Sequence, residues 1–432
     1  MPSPRGQVSF CRLRVVGPET ESVGSDELSL LSDHTLQTTD IGVPSETEFG
    51  WCGGEHVYDE RFEQAKNSLL AGRVGWFGLR LDTNRVPAEI KRALRAQHER
   101  ALLAESETGF LSRREKTELR ELIDRANHDE LATGKHRKSK LVPVLWDAPR
   151  KTLLSAAAGN TVVEALCNHW RQTFGMTGGS GALRPQSAGA VAADHLAASL
   201  GMRAFEDLRP SAFTKPPSSA GDEGTSTPVV PWAAASPEPH DFLGNEFLLW
   251  LWFRCETSEG LFPIELEGGE HTEVSLAFES TLETECAWGV TGKQTLKGAE
   301  DGPAPVRLRE ARDALQTGKW PRRAGLLLSD GIAHWRFTFQ ADRWLVSGCA
   351  LPAPSEDAIP APGREMLEYR ASHALRLDAL LVALFGSFLE LRTGDRWATT
   401  RERMSGWIRG ERTQIAVAQV AAPVEVIAAA GA

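Results

Sequence analysis

RVGWFGLRLDTN, residues 73–84, has apolar side chains on both faces of a predicted β-strand. Val74 and Trp76 lie on one face and Phe77 and Leu79 on the other, because successive side chains of a strand point in opposite directions. A strand that is apolar on both sides needs cover on both sides, which is typical of the centre of a sheet. We therefore predict a central strand here.

Two helices are predicted after this strand. Pro87 stands where the first turn of a helix tolerates proline, and apolar residues then recur at helical spacing in a charged segment. The second helix begins with a capping box, in which Ser112 and Glu115 satisfy each other's free backbone N–H groups. The two helices form a predicted charged hairpin, and its exit GKHRKSK (residues 134–140) is a predicted basic loop.

Further strands and helices flank this hairpin. VSFCRLRVV (residues 8–16), LVPVLWDA (residues 141–148) and residues 152–157 are rich in residues that favour strands. An amphipathic helix is predicted over residues 160–174. Together these elements predict an α+β fold with mixed or antiparallel sheets and a helical hairpin.

The length of 432 residues is typical of two or three domains at about 150 residues each. Residues 1–175 form the predicted N-terminal α+β region with the helical hairpin. Residues 176–240 form a predicted connector, because seven prolines between 210 and 240 are typical of an extended linker. A second α+β region is predicted over residues 241–404 and opens with the apolar helix FLGNEFLLWLWFRCE. Residues 405–432 have the Ala/Val-rich composition of a poorly ordered chain end.

Charge is distributed unevenly along the chain. The 48 Lys+Arg and 58 Asp+Glu give a net charge of −10, which argues against a protein coated in positive charge. Residues 85–151 nevertheless hold sixteen cations against eleven anions, and such an asymmetry indicates contact with a polyanion. Five charged or chargeable side chains crowd six positions with no acid between them: Lys135, His136, Arg137, Lys138 and Lys140.

Motifs for catalysis or metal binding are missing from the sequence. The six cysteines lack the spacing of a zinc site, so we interpret them as small buried hydrophobes. No phosphate-binding GxxxxGK[ST] loop, HExxH or G-x-S-x-G is present. Asp147 with Lys151 offers the best picture of a metal-dependent nuclease, but Asp147 beside Ala148-Pro149 is more simply interpreted as a turn residue. We predict a protein that is not an enzyme, with no cofactor and no metal.

Several of these segments resemble the recombination-associated protein RdgC family of bacterial DNA-binding proteins. The resemblance rests on five stretches: GWCGGEHVYDERFE (50–63), LRLDTNRVPAEIKRALR (79–95), FLSRREKTELRE (110–121), LVPVLWDAPRKTLLSA (141–156) and FLGNEFLLWLWFRCE (242–256). It implies a ring-shaped homodimer with a positively lined hole, through which double-stranded DNA passes without sequence selection. It also implies that a protruding helical finger and the strands behind it meet the DNA, and that bound protein limits access of the RecA recombinase. By this resemblance the finger is the hairpin of residues 87–140.

The positively charged segment and the finger that the resemblance implies are the same residues. We expect a sequence-independent binder of double-stranded DNA that modulates homologous recombination. The N-terminal MPSPRGQVSF lacks the apolar core of a secretory signal and no apolar run is long enough to span a bilayer, so we expect a cytoplasmic, nucleoid-associated protein with no membrane contact. The expected phosphate contacts are Arg113, Arg114, Lys116, Lys135, His136, Arg137, Lys138 and Lys140.

Two other functions stay open at this point. A metal-dependent nuclease would require convergent carboxylates, which the sequence does not identify. A protein-interaction module would work through the tryptophan-rich second half, and the basic loop would then be merely solvated.

Overall fold

The computed structural model describes residues 6–17, 20–36, 46–105, 110–157, 159–175, 181–196, 205–217, 227–258, 260–290, 292–298, 302–355 and 359–411. The strands in these ranges are β1 (Val8–Val16), β2 (Thr47–Cys52), β3 (Ser68–Leu69), β4 (Val74–Asn84), β5 (Arg137–Asp147), β6 (Thr152–Ser155), β7 (Ala182–Pro185), β8 (Leu261–Glu265), β9 (His271–Cys286), β10 (Lys293–Lys297), β11 (Lys319–Ser329), β12 (His334–Gln340) and β13 (Leu345–Ala350).

The α-helices in the same ranges are α1 (Ser25–Asp33), α2 (Gln64–Asn67), α3 (Ala88–Glu105), α4 (Arg113–Ala132), α5 (Asn160–Phe174), α6 (Ala188–Leu196), α7 (Pro231–Ala234), α8 (Phe242–Thr257), α9 (Arg309–Gln316), α10 (Arg364–Thr393) and α11 (Trp397–Arg409). Within the described ranges, no helix combines the length and apolarity that crossing a membrane requires.

All of these strands belong to one sheet, and every strand pair in it is antiparallel. The order along its main path is β10, β9, β11, β12, β13, β1, β6, β5, β4, β2. The short strands β3, β7 and β8 pair with β4, β1 and β9, respectively. The predicted α+β class is therefore confirmed, with a large antiparallel sheet.

Strand β1 joins the two parts of this sheet. Its first residues, from Val8 to Cys11, pair with β13, and the residues from Cys11 to Arg14 pair with β6. The predicted connector therefore does not interrupt the sheet, because strands from residues 1–175 and 241–404 are hydrogen-bonded neighbours.

Strand β4 has the central position that its sequence predicts. It pairs with β2 on one edge and with β5 on the other. Val74 and Trp76 belong to the larger hydrophobic core, whereas Phe77 and Leu79 belong to a second, smaller core. The strand is apolar on both faces because each face is covered by a separate core.

A helix contributes apolar side chains to each core. Every residue of α8 from Phe242 to Phe253 is buried, as its sequence predicts, and the helix packs against α10 through Phe247 and Phe385. In the smaller core, Trp170 of α5 meets Trp146 of β5 with ring centroids 5.0 Å apart. Helix α5 thereby covers the face of the sheet opposite α8 and α10.

The predicted connector contributes to the larger core. Phe213, Val230 and Ala233 are buried, and the Phe213 ring lies 5.6 Å from that of Trp320. The described part of the connector is therefore not a solvent-exposed linker. Its prolines are interspersed with apolar residues, and these residues pack into the core. Residues 176–180, 197–204 and 218–226 of the predicted connector lie outside the described residues.

The predicted poorly ordered tail begins inside a helix. Residues 405–409 complete α11, where Trp407 and Ile408 are buried. The Trp407 ring lies 5.6 Å from that of Trp252 and donates a hydrogen bond to Glu256 over 2.9 Å. The prediction is wrong for these five residues because an aromatic side chain anchors them. Residues 412–432 lie outside the described residues.

Asp241, just before α8, is a buried carboxyl with a raised pKa. It accepts hydrogen bonds from the Gly189 backbone N–H over 3.0 Å and the Ser236 hydroxyl over 2.6 Å. Burial raises the pKa of Asp241 from 3.8 to about 6, and the Glu238 charge adds to the increase. Between pH 3.8 and about pH 6, Asp241 binds more protons in the folded state than in the unfolded state. Stability from this group therefore falls as pH rises through the window, by about 3 kcal/mol in total.

We expect Asp241→Asn to remove this pH dependence. The amide can still accept from Gly189 and can donate to Ser236, while no buried charge forms. The variant should be more stable than the wild type at pH 7, and this gain should shrink towards pH 4. Urea unfolding of both proteins at the two pH values measures the difference. A variant that is less stable than the wild type at both pH values would contradict the expectation.

Candidate nucleic-acid interface

The two helices predicted after β4 are confirmed as α3 and α4. They contact each other and connect β4 to β5. The Ser112 hydroxyl accepts from the Glu115 backbone N–H over 3.3 Å, and the Glu115 carboxylate accepts from the Ser112 N–H over 2.6 Å. This reciprocal pair is the predicted capping box, and it fixes the first turn of α4.

This helix pair is largely open to solvent. Among its described residues, Leu119 alone is buried. The Asn84 side chain donates a hydrogen bond to the Leu131 carbonyl over 3.0 Å, which ties the end of α4 to the end of β4. The junction with the sheet is therefore fixed, while the helix surfaces are available for contact.

Positive charge is concentrated outside the two helices. Residues 88–132 carry nine cations against ten anions. The excess of cations over residues 85–151 therefore comes from the segment after α4 and from the flanks. The basic segment 134–140, rather than the helices as a whole, has the charge that a polyanion requires.

Part of the predicted basic loop is a strand. Strand β5 begins at Arg137, which pairs with Asn84, and Lys138 and Lys140 pair with Thr83 and Leu81. The prediction of a loop was wrong here because the first residues of β5 are polar and do not show the apolar alternation of the rest. Lys135 and His136 precede the strand in a turn.

Strand geometry divides the basic cluster between two faces of the sheet. Because side chains alternate along a strand, Arg137 lies on the opposite face from Lys138 and Lys140. Arg137 donates to the Asp82 carboxylate over 3.0 Å and to the Glu48 carboxylate over 2.9 Å. Its charge is therefore compensated by acids from β4 and β2.

Asp82 is the centre of this ion-pair network. Arg80 binds both of its carboxylate oxygens, over 3.0 and 2.7 Å. Burial alone would raise the pKa of Asp82, but hydrogen bonds from Arg80 and Ser139 and the charges of Arg80 and Arg137 lower it below its ordinary value. The group thus stays ionised and holds Arg137 in place.

His136 also has an acidic partner. Its Nε2 atom lies 2.8 Å from the Glu130 carboxylate, and its side chain is largely buried. Two of the eight predicted phosphate contacts, His136 and Arg137, are therefore engaged within the protein. The sequence shows no acid between these cations, but the fold brings acids to them from α4, β2 and β4.

The other six predicted residues are exposed, and none has an ion-pair partner among the described residues. They fall into two groups at opposite ends of α4. We call the first the distal cluster: Arg113, Arg114 and Lys116. We call the second the proximal cluster: Lys135, Lys138 and Lys140.

The two clusters are far apart. Helix α4 has 20 residues, and a rise of 1.5 Å per residue puts its ends about 28 Å apart. The end of α4, not its start, leads into the basic segment. The predicted contacts form two sites rather than one patch.

Sequence reasoning missed Arg120. It is exposed and, within the described part of the chain, has no acidic partner. It follows Lys116 by four residues and Arg113 by seven, a spacing that puts all three on one side of a helix. This periodicity was the signal that could have found it, and it extends the distal cluster by one turn.

A nuclease centre finds no support in the described residues. The Asp147 carboxylate accepts from the Arg150 backbone and guanidinium over 3.4 and 3.3 Å, as a turn residue does. Within the described ranges, no three His, Cys, Asp or Glu residues are arranged to hold a metal ion.

The interpretation of the six cysteines as buried residues is confirmed in part. Cys52, Cys286 and Cys349 are buried, whereas Cys11 and two others are partly exposed. Burial raises the pKa of the Cys11 thiol to about 12, so this thiol stays protonated at neutral pH.

Tryptophans of the second half are packed inside the protein. All seven of those in residues 241–404 are buried, with at most 9% of their surface exposed: Trp250, Trp252, Trp288, Trp320, Trp335, Trp344 and Trp397. Indole rings in a core stabilise the fold and are not available to a partner. An interaction module built on these side chains therefore lacks a surface.

Comparison of the chain with protein-family models and with curated proteins finds no match.

Proposed function

We propose that the protein binds double-stranded DNA without sequence selection and modulates homologous recombination, as its resemblance to the RdgC family implies. This proposal rests on the three lysines of the proximal cluster, which are exposed although the chain as a whole has a net charge of −10. Ammonium groups without an acidic partner can neutralise phosphates and release their counterions. A ring-shaped homodimer, a nucleoid location and restricted access of RecA to DNA are parts of the proposal that derive from the resemblance.

The chemistry of the proximal cluster favours phosphates over bases. Lysine presents a point charge, whereas base recognition relies mainly on the bidentate groups of Arg, Asn and Gln. Arg137, which could read a base, is bound to Asp82 and Glu48 instead. Phosphate contacts carry no sequence information, so binding by this cluster would be independent of sequence.

We expect the Lys135→Ala/Lys138→Ala/Lys140→Ala variant to bind a random-sequence duplex on the order of 100-fold more weakly than the wild type at 0.1 M salt. Each lost phosphate contact removes about 0.9 from the slope of log K against log salt, so three contacts remove about 2.7. Fluorescence anisotropy of a labelled 24-bp duplex over a range of salt concentrations measures both quantities.

Two control proteins separate this effect from a change in net charge. Lys215→Ala/Lys293→Ala/Lys297→Ala removes three exposed lysines elsewhere, and Arg137→Ala removes a cation that is ion-paired. For both controls, the slope of log K against log salt should stay within about 0.5 of the wild-type slope. An equal loss in the first control, or no loss in the proximal variant, would refute the role of the proximal cluster. Cleavage of the duplex in magnesium would instead indicate a nuclease.

A further inference from the structure

A cleft of about 700 Å³ lies beside β1, where the two parts of the sheet meet. Its walls come from β1, α6 and α10 and from the turns between β5 and β6 and between β8 and β9. Small-molecule sites usually have volumes of about 300–1,000 Å³. The residues of the proximal and distal clusters do not line this cleft. It is therefore large enough for a small ligand and separate from the candidate DNA contacts.

Small residues of α10 leave this space open. Ala379, Ala383 and Gly386 border the cleft at intervals of four and three residues, which puts them on one side of the helix. The His195 ring of α6 lies against Gly386, where an added Cβ would come within 2.7 Å of it. The floor of the cleft is therefore formed by backbone and by short apolar groups, which can lie against the apolar part of a ligand.

Two buried donors in the cleft wall lack an acceptor among the described residues. They are the Nε2 atom of Gln186, a residue with only 3% of its surface exposed, and the Nε atom of Arg12. The other two nitrogens of the Arg12 guanidinium have partners, which are Asp378 and, over 3.1 Å, the Thr152 hydroxyl. Buried N–H groups are rarely left unpaired in proteins. A ligand that brings an acceptor, such as a carboxylate, would satisfy these two.

The cleft also has an acidic end. Glu265 and Glu390 line it there, and they also line an adjoining cavity together with Glu273. These three carboxylates are exposed, and in the part of the chain that the structure describes none of them has an ion-pair partner. The lysine and arginine residues of the cleft do not border the adjoining cavity. Positive and negative groups are therefore separated along the cleft.

The balance of charge limits the kind of ligand that fits. Four Lys and Arg residues line the cleft against six Asp and Glu residues, which gives a net charge of −2. Arg150 is already paired with Asp147 and Glu267, over 3.3 Å each. A ligand with only a carboxylate would be repelled by the excess of acids, and one with only an ammonium group would leave the two buried donors unpaired. A molecule that has both groups satisfies both ends.

We propose that this cleft binds a small zwitterion, with its carboxylate at Gln186 and Arg12 and its ammonium group at Glu265 and Glu390. The apolar chain that joins the two groups would lie on the small residues of α10. An ω-amino acid has this chemistry. The inference goes beyond the proposed function, because it concerns another class of ligand and another surface of the protein.

ω-Amino acids of increasing length test this proposal on the full chain. The ligands used are glycine, 4-aminobutanoate, 6-aminohexanoate and 8-aminooctanoate, each compared with the alkanoate and the alkylammonium ion of the same chain length. Isothermal titration calorimetry at low salt measures each affinity. At least one ω-amino acid should bind on the order of 10-fold more tightly than both of its single-charge analogues.

Two variants remove the two ends of the site separately. Gln186→Leu removes a buried donor, so it should weaken binding of the ω-amino acid and of the alkanoate alike, on the order of 10-fold. Glu390→Gln removes an exposed charge, so it should weaken binding of the ω-amino acid about three-fold and leave that of the alkanoate no weaker. The matched control is Glu402→Gln, which removes an exposed glutamate of α11 outside the cleft and should change neither affinity.

Circular dichroism checks that each variant folds, and Glu390→Gln at its exposed position keeps the test decisive if Gln186→Leu does not fold. Three results would overturn the inference. One is that no ω-amino acid of the series binds, and another is that an alkanoate binds as tightly as the ω-amino acid of its length. The third is an equal loss of affinity in Glu402→Gln and Glu390→Gln. Duplex binding should be unchanged in Glu390→Gln, so these results leave the proposed function intact.

Discussion

Glu246→Ala is expected to destabilise the protein by about 3–5 kcal/mol, because it leaves a buried guanidinium without a counter-charge. Glu246 in α8 is inaccessible to solvent and Arg392 in α10 is nearly so, and the Arg392 Nε atom lies 2.6 Å from the carboxylate. The other carboxylate oxygen accepts from the Ser211 backbone N–H over 2.6 Å, and Arg392 also donates to the Arg209 carbonyl over 2.7 Å. One ion pair thus holds two helices and residues of the predicted connector. Urea unfolding followed by tryptophan fluorescence measures the loss.

A second variant tests whether the unpaired charge is the cause. Glu246→Leu combined with Arg392→Met replaces the pair by apolar groups of similar size, and such replacements are often neutral. We expect the double variant to recover most of the stability that Glu246→Ala loses. Loss of less than about 1 kcal/mol in the single variant would show that the pair does not support the fold as we infer.

Trp170→Ala should also cost about 3–5 kcal/mol, since it removes a large side chain from a close-packed core. Trp170 is completely buried, and its ring centroid lies 4.4 Å from that of Phe174 and 5.0 Å from that of Trp146. The surrounding rings are held by the sheet and by α5, so they cannot collapse into the space. The midpoint of urea unfolding should fall accordingly.

An exposed position provides the comparison for Trp170. Ile332 is 90% exposed in the turn between β11 and β12, so Ile332→Ala should change stability by no more than about 0.5 kcal/mol. If Trp170→Ala were equally mild, the smaller core would not depend on this ring, and the covering role of α5 would be wrong.

Local signals in the sequence predicted much of the fold. Strand β4 was evident from its apolar alternation on two faces, and α5 occupies the residues 160–174 that its pattern indicated. The capping box marked the start of α4 because Ser112 and Glu115 are three residues apart. In each case the deciding residues are neighbours in the chain.

Contacts between distant parts of the chain could not be predicted in this way. Arg137 and its partner Glu48 are 89 residues apart, so nothing near Arg137 shows that its charge is compensated. The hydrophobic pattern of the connector likewise gave no sign that Phe213 meets Trp320. The six exposed residues of the candidate site were found by charge, but only the direction of α4 reveals that they form two clusters.

The position of β1 has a consequence for synthesis of the chain. Its edge towards β6 can pair once about the first 155 residues have left the ribosome, but its edge towards β13 waits for residues that emerge far later. Ser9 and Gly348, which are hydrogen-bonded across this pair, are 339 residues apart. An unpaired strand edge can template association with another chain. Strand β7 can cover the part of this edge from Leu13 to Val16, but the part from Val8 to Cys11 stays open until the last strand of the sheet arrives.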